Sequence, residues 1–137
     1  MSEPPSGLLS LVLYANVGYF VAMSTAHWVG FKVPVLFIYY DTPFHAYQDK
    51  IISFAVVAYI CLFVNAALDR RAVPAALVAL GVTVLGLSAV NGSDALETVL
   101  DGRSPIAYWM QTGLIALYFI LLIVLYAVGR RGSQSVE

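Results

Sequence analysis

Two histidines and two aspartates are the side chains in this sequence whose types and spacing could do chemistry. The run Asp41-Thr-Pro-Phe-His45-Ala-Tyr-Gln-Asp49-Lys50 sets an imidazole between two carboxylates at intervals of four. Thr42 is a good helix N-cap and Pro43 a good first helical residue, so the segment is predicted to open a helix. Helical spacing then puts His45 and Asp49 one turn apart on one face, with Asp41 just outside, near the positive end of the helix. An imidazole and a carboxylate one turn apart suit a metal ion, a proton relay or a bound cation. His27 is the only other imidazole in the chain. His45, Asp49, Asp41 and His27 therefore form a candidate metal site, a hard-to-borderline set of two nitrogen and two oxygen donors with room for water. No HExxH, CxxC, Walker loop or GxSxG accompanies them, so a metal ion is the one cofactor indicated.

The elements that must position these residues are four apolar stretches, Leu8–Trp28, Ile51–Leu68, Val73–Val90 and Ile106–Val128, none of which contains Asp, Glu, Lys or Arg. A hydrocarbon core about 30 Å thick needs about 20 apolar residues at about 1.5 Å each, and every stretch qualifies. The predicted class is an all-α integral membrane protein with four transmembrane helices in an antiparallel bundle. The spans fall at about 8–28, 43–68, 73–90 and 106–128, within a single domain over residues 1–137. Met1–Gly7 carries Glu3 and no basic residue, so the first stretch is expected to be a retained helix rather than a signal peptide.

Composition agrees. Charged residues make up 11% of the chain and hydrophobic ones 61%, where globular domains carry about 25% charged; the mean hydropathy is +0.83. Such a chain cannot cover a soluble surface. Its 7 basic and 8 acidic residues exclude a polybasic nucleic-acid surface. The expected partners are the lipid bilayer and other membrane subunits or further copies of the chain, with no nucleic acid. Cys61 cannot form an intrachain disulfide and reads as a small buried hydrophobe.

Orientation follows from Lys and Arg. Arg70, Arg71, Arg130 and Arg131 share one side of a four-span layout, against Lys32, Lys50 and Arg103 on the other, which puts both termini in the cytoplasm. The opposite, acidic side carries the longer loops. Asp69–Ala72 is so short that spans two and three must form a tight hairpin, with Pro74 in the first turn of span three. On the outer side, Asn91–Ser93 ends a helix, Asp94–Leu100 is predicted as a short helix with acids in its first turn, and Asp101–Pro105 reads as a turn. Phe31–Tyr40 is too apolar for a solvated loop and too short to span. It is expected to anchor at the interface as part of an aromatic belt with Trp28 and Trp109, or to act as a lid over a lipid-accessible cavity. At that boundary the competing reading of the His/Asp cluster is a water-satisfied helix end, with Asp41 supporting the cap and Asp49 and Lys50 snorkelling.

Within the spans no side chain among the polar residues Asn16, Asn65, Gln111, Thr83 and their neighbours is a carboxylate, ammonium or guanidinium, which argues against an ion-coupled transporter with a central charge. Asn16 and Asn65 are expected to hydrogen-bond across spans one and two. The stripes Gly18/Ala22/Ala26 and Ala75/Ala79/Thr83 repeat every four residues and read as packing faces where helix backbones approach closely. Span four reads as largely lipid-facing, or docked on a large partner. A four-helix bundle is expected to have little interior for a cavity. The functional expectation is a non-catalytic accessory or assembly subunit, or a homo-oligomeric bundle. Two alternatives remain. One is a membrane enzyme or metal-binding protein using the outer His/Asp cluster on a lipid or small molecule. The other is an oligomeric channel or transporter lined by Asn16, Asn65, Thr83 and Gln111.

Overall fold

A computed structural model of the chain describes residues 4–33, 35–36 and 45–134, the side chains of 45 and of 131–134 excepted. Among the described residues the chain is all-helical: α1 (Gly7–Val29), α2 (His45–Leu68), a 3-10 turn (Arg70–Ala72), α3 (Val73–Asn91), α4 (Asp94–Leu100) and α5 (Ile106–Gln134). Four of these helices, α1, α2, α3 and α5, are long and apolar enough to cross a bilayer.

The ends of the helices follow local chemistry. Gly30 terminates α1 at φ 77°, and the amides of Gly30 and Phe31 both return to the Ala26 carbonyl. Only a residue without Cβ takes that left-handed position at no cost. Asp69 caps the turn between α2 and α3 by accepting from the Arg71 amide at 2.9 Å, and Pro74 occupies the first turn of α3, as expected. Ser93 precedes α4, whose first turn carries Asp94 and Glu97, and the helix ends on the left-handed pair Asp101 and Gly102.

The most extensive helix contact joins α1 to α2; α3 lies against α5, α2 against α3, and α1 touches α5 lightly. The four long helices thus close a ring in the order α1, α2, α3, α5. Leu9, Leu13, Asn16, Phe20 and His27 form the buried seam of α1, and Asp49, Ser53, Val56, Phe63 and Ala67 that of α2. Both seams advance in steps of three and four residues, or multiples of them, the spacing that keeps side chains on one face of a helix. Phe20 touches the rings of Tyr59 and Phe63 at 5.1 and 5.5 Å. The Ser10 hydroxyl donates to the Ala67 carbonyl at 3.0 Å and the Ser24 hydroxyl to the Ser53 carbonyl at 2.9 Å. These two links fix the register of the pair.

α3 and α5 pack tightly at Gly81, where a Cβ would meet the Phe119 ring at 3.3 Å. The predicted stripes mark helix contacts within the chain at Ala26, which is buried, and at Thr83, which lies 2.9 Å from the Tyr59 hydroxyl of α2, but not at Gly18, Ala22 or Ala75. Gly18 and Ala22 are exposed, as is Ala75; Ala79 is half-buried, and only Ala26 is buried. The buried face of α3 runs instead through Val73, Ala76 and Leu80. Large side chains fill the α1–α2 seam, so the small residues of α1 are left on the outer side. Among the described side chains of α5 only Thr112 and Leu122 are buried, while Ile106, Leu114, Leu117, Ile120 and Val128 face outward, as its composition predicts.

Candidate functional site

The C-terminal end of α1 and the N-terminal end of α2 bring two of the predicted site residues together. His27 Nδ1 lies 3.1 Å from Asp49 Oδ1, and the two residues are only 7% and 5% exposed. His27 stands in the last turn of α1 and Asp49 near the start of α2. Beside them Trp28 meets Phe54 edge-on, with Lys50 Nζ 5.8 Å from the Trp28 ring. α2 does begin by His45, which places His45 and Asp49 one turn apart on the backbone. The His45 side chain and Asp41 lie outside the described residues. Among the described residues no group of three or more His, Cys, Asp or Glu side chains is placed to hold a metal ion. The pair closes an imidazole–carboxylate link of the kind that orients a ring for ligation or proton transfer.

The second feature is a cavity. A space of about 400 Å³ lies between α1, α3 and α5, where the bundle was expected to have little interior for a cavity. It falls at the lower end of the range of small-molecule sites, about 300–1,000 Å³. α2 contributes nothing to its wall, because the tight α1–α2 seam leaves the looser α1–α5 side to open. Phe20, Met23, Leu80, Leu87, Leu114 and Ile115 supply an apolar lining, and Val35 and Leu36 of the connection between α1 and α2 join them. The Leu36 carbonyl accepts from Gln111 Nε2 at 2.9 Å and from the Tyr19 hydroxyl at 3.2 Å. One loop carbonyl therefore bridges α1 and α5. Val35 holds φ 70°, a conformation that strains a β-branched residue. The interactions of the next residue keep it there. Of the two expectations for Phe31–Tyr40, residues 35 and 36 match the lid; the remainder of 37–40 lies outside the described residues.

Asn16, Tyr19, Thr83, Gln111 and Tyr118 are the polar side chains on the cavity wall. The Tyr118 hydroxyl donates to the Val12 carbonyl at 2.5 Å. Thr83 donates to the Ala79 carbonyl at 2.8 Å and its oxygen lies 2.9 Å from the Tyr59 hydroxyl. Asn16 differs: it is 7% exposed, and its Nδ2 has no hydrogen-bond partner.

The predicted Asn16–Asn65 bond is not formed, since Asn65 is exposed. The register set by Ser10–Ala67 and Ser24–Ser53 brings Asn16 level with the region of Cys61, a turn away from Asn65. Cys61, expected to be buried, is exposed as well. Two mid-span tyrosines, Tyr19 and Tyr118, do the polar work that the sequence reading did not give them. Their signal was position, since tyrosines anchoring at an interface cluster at helix ends and these stand well inside. Asn91 is a further polar link, its Nδ2 donating to Thr112 Oγ1 at 2.8 Å in a buried contact between α3 and α5.

Comparison with family models, with curated proteins and with solved structures finds no match to this chain. The class is therefore defined by the fold alone: an all-helical chain with four helices long and apolar enough to cross a membrane.

Proposed function

We propose that this chain is a multi-pass membrane protein whose four long helices form an antiparallel bundle, with both termini in the cytoplasm. It acts there as a non-catalytic subunit that packs against further copies of itself or against other membrane chains. The observation that carries this reading is the outward position of Gly18 and Ala22, with no described residue beyond its own helical turn within 4 Å of a Cβ built at Gly18. In lipid, helix association rests on close van der Waals approach at small residues. Small residues that stand exposed on their own chain are suited to pack another. The polar groups that join the helices support the same view, because Asn91–Thr112, Tyr59–Thr83 and Ser24–Ser53 hold the bundle together rather than lining an aqueous path.

The test is the native mass of the full chain in mild detergent, beside that of a Gly18→Ile/Ala22→Ile variant. An oligomer or a co-purifying chain that is lost in the variant, with the helices intact, is the expected result. A wild-type chain that is monomeric and alone would overturn the reading.

A second reading, an outer-face site acting on a metal ion, lipid or small molecule, is favoured by the buried His27–Asp49 contact. Bound metal at stoichiometric level in the purified wild-type chain, lost in both His27→Ala and His45→Ala, would establish it over the first.

A further inference from the structure

We propose that the cavity between α1, α3 and α5 holds one acyl chain of a membrane phospholipid, drawn in sideways between α1 and α5. The inference rests on the membrane-spanning reading above and not on the subunit role. What fills the space is decided by its wall. Phe20, Met23, Leu80, Leu87 and Ile115 present hydrocarbon and a thioether, and the donors among them are engaged within the chain. Tyr19 and Gln111 donate to the Leu36 carbonyl, Thr83 to that of Ala79 and Tyr118 to that of Val12. The Asn16 Nδ2 is buried out of reach of any occupant. A cavity so lined stays dry, because a water there would give up hydrogen bonds without recovering them. Left empty, its wall would lack dispersion contacts on one side. Hydrocarbon satisfies such a wall, and moving it in from a bilayer costs no desolvation, since both surroundings are apolar.

Size and access fit a single chain. The wall runs from Ala15 to Met23 on α1, from Leu80 to Leu87 on α3 and from Gln111 to Tyr118 on α5, about 10–12 Å along each helix at about 1.5 Å per residue. One leaflet of a hydrocarbon core about 30 Å thick is about 15 Å deep. A chain lying along the helices therefore places most of its length in the cavity and keeps its ester and headgroup outside, where no wall donor is needed for them. At about 30 Å³ for a water-sized group, about 400 Å³ accommodates roughly a dozen carbons. Ala15 and Leu114 line the cavity and are exposed as well, and α1 touches α5 only lightly. The opening thus lies between those two helices, on a flank that meets lipid in a spanning chain.

Phosphatidylcholine carrying a diazirine near the end of one acyl chain tests the assignment. The full chain is reconstituted in nanodiscs of that lipid diluted in ordinary phosphatidylcholine, irradiated, and the labelled residues are mapped by mass spectrometry. Label is expected at Met23, Leu87 and Ile115, several-fold above the outward residues Leu85 and Leu117 of the same helical stretches. The same lipid with its diazirine beside the ester should lose that enrichment, since the ester stays outside. Ile115→Trp, which fills the cavity, and Ala15→Phe, which narrows its opening, should each abolish the wall label and leave that on Leu85 and Leu117 intact. Label on Leu85 and Leu117 with the wall at or below their level would overturn the proposal and leave the membrane reading in place. No label at any of these residues would overturn both. Equal wall enrichment from the two lipids in the wild type would also sink the proposal, a comparison that stands even where the variants do not fold.

Discussion

His27 and Asp49 form a buried contact between helices, Nδ1 to Oδ1 at 3.1 Å, across the C-terminal end of α1 and the N-terminal end of α2. The residues are separated by 22 positions in the chain. They meet because the register set deeper in the seam, at Ser24–Ser53, brings the last turn of α1 level with the beginning of α2. A partner-less carboxylate in this place would be buried without compensation.

The pair should therefore behave as a unit. His27→Ala is expected to destabilise the chain by about 1–3 kcal/mol, the cost of a buried group left unsatisfied. His27→Leu/Asp49→Leu should be milder than either single change, because both polar groups leave together. Thermal unfolding of the four proteins in one detergent gives the coupling. Strict additivity of the two single changes would show that the contact carries no energy.

Gly81 and Gly18 make opposite forecasts. A side chain at Gly81 meets Phe119 at 3.3 Å, whereas one at Gly18 meets nothing within 4 Å. Gly81→Val should cost about 1–3 kcal/mol by overpacking, and Gly18→Val should leave the melting of the isolated chain unchanged. A loss of stability in Gly18→Val without any change in native mass would mean that the two glycines have been placed on the wrong faces.

The Leu36 carbonyl is held by Gln111 and Tyr19. Removing either donor, as Gln111→Leu or Tyr19→Phe, should release the loop by about 0.5–1.5 kcal/mol. Amide exchange around residues 35–36 should then quicken, most in the double variant. Exchange that stays at the wild-type rate in all three would show that the two bonds do not hold the lid.

Topology is checked with reporters. Fusions at Gln134 and beside Arg71 should be active as cytoplasmic reporters, and one at Asp94 as an external reporter, following the Arg pairs at the inner helix ends. A carboxy-terminal fusion active only outside would reverse the orientation.

The helices themselves were legible in the sequence. Their bounds fall within about six residues of the apolar stretches, because length, charge exclusion and the first-turn proline Pro74 are local properties, while Gly30 and Asp69 as caps went unread. The short helix Asp94–Leu100 was legible for the same reason. Which face of each helix turns inward was not. A helix apolar on every side carries no amphipathic stripe to orient it, and small residues pack equally well inside a chain or between chains. The sequence by itself therefore determined four long apolar helices and the residue types at their ends. Only the tertiary structure decided that Asn16 lines a cavity while Asn65 turns outward, that Gly81 rather than Gly18 meets a neighbouring helix, and that His27 finds Asp49. Each of those outcomes depends on the rotation and register of whole helices, which the summed packing of large side chains such as Phe20 and Phe63 sets and no single residue announces.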